Sequence, residues 1–339
     1  MNTVWMQNVT EQNAWRGSQF GGNESWILPL GGEEISEIER ALVVAKASGL
    51  ALEDMQRAHF PLKVMARRLE SIYAEIRNGR GFVVLRGLPV ARYSAEDVGL
   101  IFWGLGRYLG TPLYQNQQGD LLGHVYDYGR KYGEIDVRGY EGRGHLPYHT
   151  DNCDLVGLLC LRKGLSGGLS SIVSSVTVHN EILATHPEYL GLLYNGFYYI
   201  RREEALTAKG VSEIPVPVFG HNKGVVSCRY IRNQINAGAV KRGIPLTKLE
   251  REALDYLDEL TRRPDLRLDM DLQPGDMQLC NNYTTLHSRT EFTDGPEPHQ
   301  KRHMIRLWLK FYQTWPISDQ FHEQLGYLRA DGKTMAVEA

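Results

Sequence analysis

The sequence predicts one β-rich domain carrying helical additions, and three observations lead there. Short apolar runs recur between glycine- and proline-containing turns, the pattern of buried strands. Segments 62–77 and 247–262 instead place apolar residues at helical spacing, and 36–45 is rich in helix formers. No internal repeat or linker-like stretch divides the 339 residues, and large β architectures stay single at this size. The expected organisation is one domain over 1–339, with a mostly helical extension over 1–80 and a helical or lid insertion at about 175–265.

In chain order, Ser36 is a candidate cap for the first helix, which ends near Gly49. The second helix, 62–77, stops at Gly79 and Gly81. A strand at 82–87 and a helix at 94–108 follow. From 114 to 148 periodicity is weak and glycine frequent, which suits strands joined by long loops. Residues 155–161 and 169–174 read as strands around the turn Ser166-Gly167-Gly168, and 175–193 as a helix. Strands are expected at 197–202, 216–219 and 225–231. Helix 247–262 is strongly amphipathic, with Leu249, Ala253, Leu254, Leu257 and Leu260 on its apolar side. Strands at 266–272, at 277–279 after the turn Pro274-Gly275-Asp276, and at 306–311 complete the pattern.

Hydrophobic residues make up 42% of the chain and charged residues 23%, enough for a sizeable core. The 38 basic and 40 acidic residues nearly cancel, which gives no support to non-specific nucleic-acid binding. No run of 18 apolar residues suggests a membrane span. The opening MNTVWMQNVTEQNAWRG has no basic region followed by an apolar stretch, so no export signal is expected and the cytoplasm is the expected location. Cys153, Cys160, Cys228 and Cys280 form no CxxC pair and read as buried, reduced small hydrophobes. The expected partner is a small-molecule substrate, with neither nucleic acid nor membrane; a homo-oligomer is compatible with this composition.

The most informative local group is His149-Thr150-Asp151. On a strand, residues i and i+2 share a face, so an imidazole and a carboxylate can approach one metal ion. Two histidines and one carboxylate form the facial triad that leaves iron(II) three adjacent open positions. The third ligand has several candidates: His124, His145, His179, His186, His221, His287, His299 and His303. His287 stands out, because it follows a turn, a short strand and the pair Asn281-Asn282, which can fix backbone geometry. His179 and His186 fall in an expected helix and read as cap, surface or packing residues. His303 sits among Lys301, Arg302 and Arg306, where ligand binding competes with a solvated basic surface. Arg302 and Arg306 share a face if both are extended, and arginine suits a bidentate clamp on a carboxylate.

With these residues in order, the chain resembles the iron(II)- and 2-oxoglutarate-dependent oxygenases of the taurine dioxygenase / 2,4-D dioxygenase (TauD/TfdA) superfamily and their clavaminate-synthase-like relatives. The resemblance covers about 80–315 and is strongest in LPYHTDNCDLVGLLCLRKGLSGGLSSIVSSVTVHNEIL, LDMDLQPGDMQLCNNYTTLHSRTEF and KRHMIRLWL. It implies a mainly β fold with flanking helices, a double-stranded β-helix or cupin-like jelly roll. It implies Fe(2+) held by His149, Asp151 and His287, with 2-oxoglutarate and O2 as cosubstrates. Arg302 resembles the arginine that grips the far carboxylate of 2-oxoglutarate, Arg306 a second arginine near cosubstrate or substrate. Ser170 stands where the family usually has a threonine on that carboxylate, a change that retains the hydroxyl. Because Asp151 is retained, the resemblance argues against the related halogenases, in which a small residue frees a chloride position.

The activity so implied is oxidation of a small anionic or zwitterionic metabolite, by hydroxylation as the default or by desaturation or cyclisation, with release of succinate and CO2. Substrate contacts are expected from Tyr114, Asn116, Gln118 and His145 before the metal motif, and from Phe197, Tyr198, Tyr199, Arg229 and Arg306 after it. Two other classes compete: a metal-dependent hydrolase or isomerase on the same scaffold, and a non-catalytic small-molecule-binding relative.

Overall fold

A computed structural model describes residues 3–116, 118–130, 141–200, 210–317 and 321. The chain enters through β1 (Ile27–Pro29), α1 (Gly32–Ser48), α2 (Val64–Asn78), β2 (Phe82–Arg86) and α3 (Ala95–Gly106). Next come β3 (Thr111–Pro112), β4 (Leu122–Val125), β5 (Leu146–His149), β6 (Leu155–Arg162), β7 (Ser166–Gly167) and β8 (Ser170–Ser174). A helical stretch follows: α4 (Ser175–Thr185), α5 (Pro187–Asn195), the hairpin β9 (Phe219–Asn222) and β10 (Val225–Cys228), α6 (Arg232–Arg242) and α7 (Lys248–Arg262). The last strands are β11 (Arg267–Met270), β12 (Met277–Asn281), β13 (Thr285–Arg289), β14 (Phe292–Thr293) and β15 (His303–Lys310).

The helix ends show why these segments start where they do. Ser94 caps α3 by accepting the Asp97 N–H at 3.0 Å. Thr247 and Glu250 form a reciprocal capping box on α7. α1 begins at Gly32, ahead of the expected Ser36, because the Glu34 carboxylate reaches back to the Gly31 N–H at 2.8 Å. α2 lacks a cap of its own. Glu37 of α1 supplies one, accepting the N–H groups of Lys63, Val64 and Met65 at 2.7–3.0 Å. The helix expected over 175–193 is two helices, divided where Pro187 opens α5. The strand expected at 197–202 is reduced to isolated bridges, Phe197 with Val216 and Ile200 with Val211, and its last two residues lie outside the described ones.

Two sheets carry the site. The larger runs β1-β2-β12-β6-β15-β3, with β4 also paired to β15; the smaller runs β11-β8-β13-β5. One apolar cluster draws on both, joining Val84, Val156, Cys280, Met304 and Trp308 of the larger sheet to Ile172 and Met270 of the smaller. A second cluster lies on the opposite face of the larger sheet, where Ile305, Leu307 and Leu309 of β15 meet helical residues such as Leu69, Phe102 and Leu105.

The expected jelly roll, or double-stranded β-helix, is corrected by this pairing. Among the described residues both sheets are open, and neither closes into a barrel. β1 also joins β2 in parallel. The architecture is therefore mixed open sheets with flanking helices. The reason is visible at the β11 edge, which is covered by the short 3-10 helix Gly17–Phe20 and, among the described residues, not by another strand. Gly17 donates to Leu266 O at 2.9 Å and packs so close that a Cβ there would sit 1.8 Å from Arg267 O. β8 and β11 pair directly, Arg267 opposite Val173, so α4–α7 form an excursion between neighbouring strands. Among the described residues, no helix is long and apolar enough to cross a membrane.

Candidate active site

The inner faces of the two sheets converge on His149, Asp151 and His287. In the β5–β13 ladder His149 stands opposite His287, with ring centroids 4.2 Å apart. Asp151 lies two residues past His149, beyond the end of β5, where the turn is pinned from outside. Asn282 Oδ1 accepts the Asp151 N–H at 2.9 Å, and Asn282 Nδ2 donates to Asp151 O and Cys153 O. Arg229 donates to Asp151 O and to Asn152 Oδ1. The carboxylate is thereby turned towards the imidazoles: Oδ1 lies 3.9 Å from His149 Nε2 and Oδ2 3.7 Å from His287 Nε2. These three residues are the group, among those described, whose ligand atoms can meet around a metal ion.

The protonation states suit a divalent cation. Pro147 O accepts from His149 Nδ1 at 2.8 Å, so the proton sits on Nδ1 and the Nε2 lone pair is available. Burial pushes the His149 imidazole down, and burial with the neighbouring His149 takes His287 to about 3. Burial alone would raise Asp151, but Arg306, His287, His149 and the Trp308 indole overcome it and hold the carboxyl at about 2. Two neutral nitrogens and one ionised oxygen fit the iron(II) facial triad.

One step along the same strands lies a buried cationic environment. Ser170 stands opposite Arg289 in the β8–β13 ladder, two residues, or roughly 7 Å, from the His287 position. Arg302 and Arg289 both lie against Phe292, their guanidinium carbons 5.3 and 4.8 Å from the ring centre. Arg289 donates to Gly142 O and Gly144 O, which ties down the loop ahead of His149. Arg302 Nη1 is buried without a hydrogen-bond partner among the described residues. Burial pushes both guanidinium groups down to about 10, with Arg302 adding to the shift of Arg289. A buried, unpartnered cationic nitrogen is costly unless an anion meets it, and the far carboxylate of 2-oxoglutarate fits that need. The Ser170 hydroxyl donates to Gln278 Oε1 at 2.5 Å, so it must turn to reach a ligand.

The other expected site residues divide. Arg306 is at the centre, its Nη1 3.5 Å from Asp151 Oδ2 and its Nε donating to Gln115 Oε1 at 2.8 Å. Arg229 braces the Asp151 turn, as above. Tyr114, Phe197 and Tyr199 pack into the large apolar cluster; Tyr199 OH donates to Arg229 O at 3.1 Å, while Tyr198 lies under Arg242. Asn116 holds a turn through Asp120, and Gln118 and His145 are exposed. His179 packs against Tyr194 and Phe219, His186 stacks on Tyr189, and His303 hydrogen-bonds His124 at 2.9 Å. All four cysteines are buried and free, and burial pushes Cys160 and Cys280 up to about 12, as small hydrophobes and not nucleophiles. The sequence reading passed over Arg289, Gln278 and Trp308. The signal for two of them was two-residue spacing, Arg289 from His287 and Trp308 from Arg306.

Comparison with known proteins agrees with this geometry. The model of the family "Taurine catabolism dioxygenase TauD, TfdA family" matches residues 51–308. FR-33289 synthase of Streptomyces rubellomurinus is 31% identical over 316 residues, covering 91% of this chain and 92% of that protein. The taurine hydroxylase-like protein SAT17 of Stachybotrys chartarum is 28% identical over 313 residues, covering 88% and 79%. Among solved structures, an asparagine oxygenase in complex with Fe(II), 2S,3S-3-hydroxyasparagine and succinate shares the fold, with a TM-score of 0.65, 19% identity, and coverage of 84% of this chain and 93% of that one. Family match and facial triad together make the chain a member of the TauD/TfdA dioxygenase family, an iron(II)- and 2-oxoglutarate-dependent dioxygenase acting on a small metabolite.

Proposed function

We propose that the substrate is a small anionic or zwitterionic metabolite and that the reaction is hydroxylation, with desaturation or ring closure as variants. In this reading His149, Asp151 and His287 hold the iron, and Arg302 with Ser170 holds the far end of 2-oxoglutarate. Arg306 stands between cosubstrate and substrate. The observation that carries it is the set of buried guanidinium groups near the metal ligands: Arg306 Nη1 lies 3.5 Å from Asp151 Oδ2, and Arg289 and Arg302 lie buried against Phe292. Iron(II) with 2-oxoglutarate and dioxygen supplies oxidative decarboxylation to succinate and CO2, coupled to oxidation of a substrate C–H bond. The chain's own part is to neutralise anions, orient them and exclude water. The asparagine oxygenase that shares the fold holds a hydroxylated amino acid and succinate, which supports an amino-acid-like substrate here.

The excursion at about 175–265 is proposed as the lid of a single oxygenase domain, with 1–80 as its extension; the direct β8–β11 pairing beneath it supports this. A cytoplasmic setting, without nucleic-acid or membrane partners, accords with the near-neutral charge.

The test is an aerobic screen of amino- and organic-acid pools with iron(II), ascorbate and 2-oxoglutarate, read by mass spectrometry against Asp151→Ala. The expected product gains one oxygen, or loses two hydrogens, with matching succinate. Turnover of a large neutral substrate would overturn the charge argument, and a chlorinated product the reaction type. Turnover without oxygen and 2-oxoglutarate would point to the hydrolase or isomerase alternative.

A further inference from the structure

We propose that Trp308 selects which oxygen of Asp151 faces the metal, making it a positioning residue for the cluster. The inference rests on His149, Asp151 and His287 holding iron. Distances alone do not choose between the two oxygens. Ligand atoms each about 2.1 Å from one ion at right angles lie roughly 3 Å apart, and both oxygens approach that from an imidazole Nε2, at 3.9 Å for Oδ1 and 3.7 Å for Oδ2. The hydrogen bonds break the tie. Oδ2 accepts the Trp308 indole N–H at 2.9 Å and lies 3.5 Å from Arg306 Nη1. Oδ1 accepts none among the described residues. A carboxylate oxygen has about two lone-pair sites, so Oδ2 is engaged by the protein and Oδ1 is left for the metal.

The indole is well fixed for this task. Trp308 pairs with Val156 in the β6–β15 ladder, and its ring is buried in the inter-sheet cluster with Cys153, Val156 and Met304. The Arg306 guanidinium lies 4.4 Å from the ring centre on the same face of β15. An indole N–H donates and never accepts, so it holds a carboxylate oxygen without competing for the metal. Binding through Oδ1 alone keeps three positions open, whereas a chelating carboxylate would leave two. Without the indole, Arg306 Nη1 is the remaining donor beside Oδ2 among the described residues, and the carboxylate is expected to turn towards it.

Trp308→Phe retains a ring and removes the N–H. Anaerobic titration of wild type and variant with Co(II) reads both affinity and ligand field. The expected result is a roughly 10- to 100-fold loss of Co(II) affinity and a changed visible spectrum at saturating Co(II), which a purely structural role would not produce. Equal affinity and an identical spectrum in the two proteins would overturn the proposal. Failure of wild type itself to bind Co(II) would overturn the metal-site reading beneath it. A second measurement does not depend on folding of that variant: the indole N–H resonance of Trp308 in nitrogen-15-labelled metal-free protein. It should lie downfield and resist solvent exchange, and move upfield in Asp151→Ala; a resonance unmoved by that substitution overturns the proposal.

Discussion

Arg302 places a full positive charge where water is scarce and no acceptor among the described residues reaches Nη1. Its folded-state pKa lies below the ordinary arginine value, at about 10. A lowered pKa on a cation means that the charged form costs the fold stability throughout neutral pH, a cost relieved only as pH rises past that value. Removing the charge should therefore not destabilise the ligand-free protein. Arg302→Met is expected to melt no lower than wild type without ligand and to lose the thermal shift that 2-oxoglutarate gives. Hydrogen bonds to a charged group are worth about 1.5–3 kcal/mol, so its 2-oxoglutarate affinity should fall roughly ten- to a hundredfold. Calorimetry with the anaerobic iron(II) protein measures this, and unchanged affinity would remove Arg302 from the anion site. The three metal ligands were legible because each is a chemically distinctive residue in a motif. Gln115, Gln278 and Arg229 were not legible as supports, because their partners lie far away in sequence: Arg306, Ser170 and the Asp151 turn.

Helix α7 shows how far periodicity can be trusted. Its capping box and apolar stripe locate it to within a residue of expectation. Ala253, Leu254, Leu257 and Leu260 are buried as expected, but Leu249 is 47% exposed. It sits in the first turn, and α4 and α5, which cover α7, engage the helix further on. Leu257→Ala should accordingly cost about 2–5 kcal/mol, and Leu249→Ala no more than about 0.5 kcal/mol, by urea denaturation. Similar losses for the two would mean that the stripe, not the burial, decides. Other elements were hidden for physical reasons. α6, with the sequence RNQINAGAVKR, has a weak apolar face and a central glycine, yet packs Ile235 into the core. β13 reads TLHSR, a polar run whose burial on both sides comes from β8 and β5 and not from its own pattern.

The global topology was the least legible feature, because it rests on pairings between distant segments. Nothing local in 170–174 announces β11 as its neighbour, nor that the short 3-10 helix Gly17–Phe20 covers that edge where a double-stranded β-helix was expected. The segment ahead of β1 belongs to this covering layer. Trp15 is buried against Phe82, with ring centres 5.0 Å apart, and its indole donates to Arg80 O at 2.8 Å. Its backbone O accepts from Thr177 Oγ1, and Asn13 O from Ser174 Oγ, which fastens the segment to β8 and α4. An ion-pair cluster lies beside it, with Arg16 and Arg263 each contacting Glu181 and Asp265. Burial and charge compete as the source of this attachment, and magnitudes decide between them. Partly exposed ion pairs contribute about 0–1 kcal/mol each, whereas a buried tryptophan reduced to alanine costs about 3–5 kcal/mol. Trp15→Ala should therefore lower the urea midpoint severalfold more than Glu181→Gln does. The Glu181→Gln effect should shrink further as salt is raised, and the Trp15→Ala effect should persist. If the two substitutions prove equally costly at high salt, the segment is held by charge, and the apolar account of how this layer closes the sheet edge fails.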